Sequence, residues 1–200
     1  MSAPLDDAGR ALAREVLRFW FDGAEGGDAK RVRAQWFAKD DAFDEAIRRR
    51  FGGLVDEAIV GARDAWSHDP ETAPALVLVL DQFTRNVHRD TPRMYAGDER
   101  ALEVARRIVQ RRWDERYDPL LRWFCYMPFQ HSESLEDQEE SLRLFGRLRD
   151  DPLAGGAWYW AVRHHEIVER FGRFPHRNPI LGRESTPEEI EFLKEPNSSF

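Results

Sequence analysis

Pro74-Ala75-Leu76-Val77-Leu78-Val79-Leu80-Asp81-Gln82-Phe83-Thr84-Arg85-Asn86-Val87-His88 is apolar almost all round in its first half and strongly polar in its second. A helix packed on several sides has this composition, because no face of it is left to water. The stretch therefore predicts a central helix from Pro74 to His88 that leaves the core at Asp81. Helical spacing puts Asp81, Arg85 and Arg89 on one face at i, i+4 and i+8, with Gln82 and Asn86 beside them. A polar edge leading out of a core must find partners, since an unpaired buried charge costs about several kcal/mol. An internal Asp81–Arg85 ion pair meets that need, and so does a ligand site.

Helical periodicity continues on both sides, with no alternating strand pattern of any length. Leu12, Val16, Phe19 and Trp20 fall on one face of a first helix, which Asp22-Gly23 and Gly26-Gly27 end in a plain turn. Asp40 is placed to cap a second helix whose stripe is Phe43, Ile47, Phe51, Leu54, Val55 and Ala58. Further helices are predicted from Asp98 to near Trp113, Pro119 to near Met127, Leu135 to Leu148, and near Ala157 to Phe171. Asp118-Pro119 and Asp151-Pro152 place a capping carboxylate before a proline at the first helical position. Thr186-Pro187-Glu188-Glu189 is a capping box that starts the last helix. Short connections make neighbouring helices antiparallel, so the expected fold is all-α, an array of helical hairpins. One domain is expected over 1–200, with 1–9 and 195–200 as poorly ordered ends, and no 34-residue repeat is evident.

The net charge of -7 argues against a nucleic-acid binder, whose affinity rests on neutralising phosphates. Cys125 is the single cysteine, which excludes an internal disulfide framework and an all-cysteine metal site and fits a reducing cytoplasm. Acidic residues stand in Met1 to Asp7 where a signal peptide would carry positive charge. The most apolar run, Ala73 to Leu80, is far short of the roughly 18 residues of a membrane span. Expectation is thus a cytoplasmic protein with no nucleic-acid or membrane partner. Lysine appears only at Lys30, Lys39 and Lys194, so nearly all positive charge is arginine, the side chain suited to bidentate contacts with carboxylate or phosphate. Genomic base composition produces the same bias.

Three further stretches concentrate reactive side chains. In Pro128-Phe129-Gln130-His131-Ser132-Glu133-Ser134, Pro128 is expected to stop one helix and Ser134 to cap the next, leaving His131 and Glu133 in a tight turn. His131 is a candidate general base oriented by Glu133; a capping and hydrogen-bonding role is the alternative. The His-x-Glu of zinc deaminases requires a later pair of cysteines that this chain lacks. In Arg163-His164-His165-Glu166, the two imidazoles face different ways on a helix and cannot chelate together. His165-Glu166 lacks the second histidine at i+4 of a zinc protease, so no metal ligands are assigned. His164 is a candidate for proton transfer or a hydrogen-bonded core histidine. Phe171 to Arg183 carries two glycines and two prolines and must be a shaped loop. Its Arg173, His176, Arg177, Asn178 and Arg183 either hold an anion or staple the loop to the acidic ends of neighbouring helices.

Val16-Leu17-Arg18-Phe19-Trp20-Phe21, Asp81 to Asn86, Pro128 to Glu133, and Phe171 to Arg183 followed by Ser185-Thr186-Pro187-Glu188-Glu189 together resemble the DUF924 family of uncharacterised, mostly bacterial proteins. The resemblance spans Val16 to Leu193 and implies a tetratricopeptide-like helical fold. Two departures stand out: one tryptophan near Trp36-Phe37 where the family often has two, and Gln130 where an acidic residue is common. The expected function is a polar site for a small anionic ligand, with a proton-transfer or hydrolytic step. Asp81, His131, Glu133 and His164 would carry the chemistry, and Gln82, Arg85, Asn86, Arg89, Arg173, His176, Arg177, Asn178 and Arg183 would bind. A peptide-binding adaptor groove is the alternative. The sequence leaves the cofactor unknown.

Overall fold

The stretch 74–88 lies at the centre of the computed structural model, which describes residues 5–21 and 31–199. It belongs to α3, which runs as an α-helix over Ala73–Val77, widens to a π-helix over Leu78–Phe83 and closes again over Thr84–Val87. Around it stand α1 (Asp7–Phe21), α2 (Asp41–Ile59), α4 (Asp98–Gln110) and α5 (Pro119–His131), each packed on α3. The array continues through α6 (Leu135–Gly146) and α7 (Ala157–Phe171), then two short helices, α8 (Asn178–Leu181) and α9 (Pro187–Phe192). Among the described residues there is no strand.

Phe83 is fully buried and anchors the core, with its ring 5.1 Å from Phe51 and 5.5 Å from Trp20. Burying such a side chain contributes about 1.5–3 kcal/mol. Trp20 also meets Phe124 edge-on at 5.5 Å, which ties α1 to α5. A second cluster joins Ile167 and Val168 of α7 to Phe174 and Phe192, seating the C-terminal segment on the array.

Three of the caps read from the sequence are present. Asp40 accepts from the N–H groups of Ala42 and Phe43 at 3.0 Å, Asp118 from Leu120 and Leu121, and Thr186 with Glu189 forms the capping box. Asp151 caps only a turn, accepting from Leu153 and Ala154, and α7 begins at Ala157. Ser134 makes no side-chain cap; its own N–H donates to Ser132 Oγ instead. The loop 171–183 is shaped as expected, with Gly172 and Gly182 both at φ 66°, a left-handed conformation that glycine adopts without strain. The expected turn at Asp22 to Gly27 lies outside the described residues.

Four expectations need correction. Helix α1 starts at Asp7 rather than after residue 9, because Asp6 Oδ1 accepts from Gly9 N at 2.7 Å and Gly9 packs beside Trp66. At the other end Ser198 is buried and its hydroxyl donates to Leu193 O. Helix α4 stops at Gln110, short of Trp113, since Arg112 turns the chain at φ 56°. Pro128 does not stop α5, which continues to His131. The buried flanks of that helix hold it together, and Gln138 of α6 satisfies its last carbonyls by donating Nε2 to Gln130 O and Ser132 O, both at 2.7 Å.

Candidate functional site

The π-helical turn decides how Asp81 is presented. Thr84 N donates to Val79 O five residues back, and the Thr84 hydroxyl donates to the same carbonyl at 3.0 Å. The wider turn leaves the Asp81 carbonyl to accept from Arg85 Nη1 at 2.7 Å, a contact an α-helical ladder would use for a backbone N–H. Arg85 Nη1 also reaches Asp81 Oδ1 at 3.2 Å, the internal ion pair anticipated from spacing. Its two terminal nitrogens then grip Asp98, the first residue of α4, at 2.7 and 2.9 Å.

His131 arrives from α5 and places Nδ1 2.7 Å from Asp81 Oδ1. The carboxylate accepts from Nδ1–H, which leaves Nε2 as the lone-pair nitrogen. Burial pushes the His131 imidazole down; Asp81 pulls it up and Arg85 opposes that pull, so the ring stays below its ordinary value. Burial by itself would raise Asp81, but the charges of His131 and Arg85 outweigh it and hold the carboxyl well below the usual range. His164 Nδ1 lies 2.8 Å from Trp160 O, so Nδ1–H donates there and Nε2 faces Gln130 Nε2 at 3.5 Å. Burial, reinforced by His131, pushes His164 well down.

These groups border a cavity of about 450 Å³. One wall is the α5 stripe Trp123, Met127, Gln130 and His131; facing it are Gln82, Arg85 and Asn86 of α3 and Arg89 just beyond its end; His176 and Arg177 close it from the C-terminal segment. Gln82 donates to Asp81 Oδ2 at 2.5 Å and lies 3.7 Å from Met127 Sδ across the cavity. Arg177 donates Nη2 to His131 O at 2.9 Å, lies over the rings of Phe174 and Tyr95 at 4.5 and 4.8 Å, and shares Asp98 with Arg85 at 3.7 Å. Burial, followed by the charge of Arg85, pulls the Arg177 guanidinium below its ordinary value. Among the described residues no Asp or Glu lines the cavity, although four Lys or Arg side chains and three histidines do. A more open hollow of about 630 Å³ over residues 31–40 shares only Ala38 and Lys39 of its described lining with this cavity and contains none of the candidate site residues.

The sequence candidates divide into two sets. Gln82, Arg85, Asn86, Arg89, His131, His164, His176 and Arg177 line the cavity, with Asp81 directly behind His131. Arg89 nevertheless departs from its expected place in a row with Asp81, because α3 ends at Val87. Its guanidinium turns to Asp44 of α2, which also accepts from Asn86 at 2.7 Å. Glu133, Arg173, Asn178 and Arg183 lie outside the lining and staple the loop. Glu133 accepts from Arg183 at 2.7 and 2.9 Å and from Phe174 N at 2.8 Å. Arg173 grips Glu189, and Asn178 donates to Ser185 and Glu189. Glu133 therefore orients the loop, and Asp81 is the carboxylate that orients His131.

Sequence reasoning missed Asp98, Tyr95 and the apolar lining Trp36, Phe37, Trp123 and Trp160. Trp123, Met127 and His131 follow i, i+4, i+8 spacing, a signal hidden by the expectation that Pro128 broke the helix. Nothing local marked Asp98 as more than a helix start. Among the described residues no three His, Cys, Asp or Glu side chains are grouped as a metal site requires, and no helix is long and apolar enough to cross a membrane.

No curated protein matches the chain. A solved structure of a protein of unknown function, ATU0120 from Agrobacterium tumefaciens, superposes with a TM-score of 0.83 at 39% identity, covering 96% of this chain and 100% of that one. The family model described as a bacterial protein of unknown function, DUF924, matches residues 16–197. The chain belongs to the DUF924 family.

Proposed function

We propose that the cavity between α3, α5 and the C-terminal segment binds a small anionic molecule, and that His131 exchanges a proton with it or with a water beside it, in a proton-transfer or hydrolytic step. One observation carries this reading: the Asp81–His131 pair, whose imidazole borders a cavity lined, among the described residues, by cations and histidines but by no carboxylate. Among the described residues His131 Nε2 has no hydrogen-bond partner, and with Nδ1–H fixed on Asp81 it is the basic nitrogen. Its lowered pKa keeps it unprotonated at neutral pH, the form a general base needs. Arg177, crowded by Arg85 and sharing Asp98 with it, gains from a nearby negative charge.

Depth favours a small molecule over a peptide segment, since Gln82, Asn86, Gln130, His164 and Arg177 are all buried. Titration with benzoate, followed by NMR on the His131 and His164 ring protons, tests the reading. Saturable shifts of both are expected, with binding weakened at least about tenfold in Arg177→Lys, as for loss of a bidentate charge-assisted contact. Absence of ring shifts up to solubility-limited benzoate would rule it out.

A further inference from the structure

We infer that the anion this cavity takes carries a planar aromatic ring, an inference that rests on the anion-binding reading above and names the ligand class for it. The cavity has two chemically distinct ends on one helix. Trp123 and His131 are eight residues apart on α5, so they lie about 12 Å apart along the axis and on the same face. At the His131 end stand Asp81, Arg85 and Arg177. At the Trp123 end stand Trp36 and Phe37, followed in the chain by Ala38 and Lys39. Phe37 lies nearly parallel to Trp123, 17° between planes at 5.3 Å, and Trp36 supports it edge-on at 6.2 Å.

These rings are fixed before any ligand arrives. Trp36 Nε1 donates to Trp20 O at 3.2 Å and its ring meets Phe124 at 4.9 Å, while Trp123 is stacked on Phe124. Phe37, by contrast, is 53% exposed, an aromatic face left to water at the edge of a polar cavity. Rigid aromatic walls favour a flat partner, which gains stacking without ordering flexible side chains. Met127 lies between the two ends, and a thioether adapts to the edge of a ring. A volume of about 450 Å³ holds a bicyclic aromatic acid, in the usual size range of small-molecule sites. Carboxylate and phosphate share the chemistry that the guanidinium end recognises.

The test is calorimetric titration of the whole protein with a matched series: acetate, octanoate, 2-naphthoate, 2-naphthyl phosphate and the neutral 2-naphthamide. Binding of 2-naphthoate or 2-naphthyl phosphate at least tenfold tighter than octanoate, acetate and the amide supports the inference, and the better of the two identifies the headgroup. Phe37→Ala, at an exposed position, should weaken the aromatic anion roughly threefold to tenfold, the range of an aromatic pair, and leave acetate unchanged. If acetate or octanoate binds as tightly as the naphthyl anions, the aromatic class is overturned while anion binding stands. If 2-naphthamide binds as tightly as 2-naphthoate, the anion reading itself has failed. No binding across the series overturns both.

Discussion

His131 Nδ1 and Asp81 Oδ1 meet at 2.7 Å across 50 residues of chain, joining the last turn of α5 to the π-helical turn of α3. The contact fixes the imidazole tautomer and couples the two helices electrostatically. Asp81→Asn keeps the shape and removes the charge. We expect a loss of about 3 kcal/mol in urea unfolding, the low end for breaking a buried ion pair because Asp98 still holds Arg85. The His131 pKa, read from its ring proton shifts, should fall further, since Asp81 is the group that raises it. A rise would show that the pair is not coupled as described.

Stability should decline with acidification in two windows. His176 is pushed down to about 3 by burial and then by Arg177, and His164 is lowered in the same direction. An unfolded histidine takes up a proton near pH 6.5, so between there and the folded values the unfolded chain binds more protons. The contribution is therefore complete above pH 6.5 and lost as pH falls. Unfolding free energies at pH 7.5 and 5.0 should differ by on the order of 1–2 kcal/mol for His176, and His176→Asn should shrink the gap. Glu189, held at about 2 chiefly by Arg173, adds a second loss from its ordinary 4.5 downward, which Glu189→Gln removes.

Glu133 and Arg183 test the division between staple and cavity. Their bidentate pair also holds Phe174 N, so Arg183→Ala should cost about 1–3 kcal/mol. Benzoate binding at saturating folded protein should stay within about twofold of wild type, because Arg183 does not border the cavity and a change of that size is only a few tenths of a kcal/mol. A tenfold loss of affinity in folded Arg183→Ala would return that arginine to the site.

Gly97 sets the distance between α3 and α4. An added Cβ would overlap the Leu80 carbonyl, so Gly97→Ala must push Asp98 away from Arg85. Overpacking of this kind costs about 1–3 kcal/mol. Gly53, on the exposed side of α2 with open space around it, is the control: Gly53→Ala should stabilise by about 0.5–1 kcal/mol. Equal effects of opposite expectation, measured by thermal unfolding, would refute the close approach.

Much of the architecture was legible because it depends on neighbours in sequence. The apolar run before Asp81 announced a helix buried on several sides, and α1, α2, α4 and α5 do pack on it. Asp40, Asp118 and Thr186 announced helix starts through groups two or three residues away. Pro128 misled because its local preference is to end a helix, whereas packing against α3 and α6 and the capping amide of Gln138 carry α5 through it. Of the site, the ion pair Asp81–Arg85 was readable from i, i+4 spacing. Asp98 and the aromatic lining were not, since their roles arise from contacts made by chain folding.

The amino-acid sequence alone determined that the fold is all-α, where most of the described helices begin, and which stretches are too polar to be ordinary core. Only the tertiary structure decided which of those polar groups face a common cavity and which lock the loop 171–183 onto α5 and α9. The reason is range. Helix periodicity and capping are set within a few residues, whereas His131 meets Asp81, Glu133 meets Phe174 and Arg183, and Arg177 meets the His131 carbonyl across 41 to 50 residues, and Arg177 meets Asp98 across still more, partners chosen by how the helices pack.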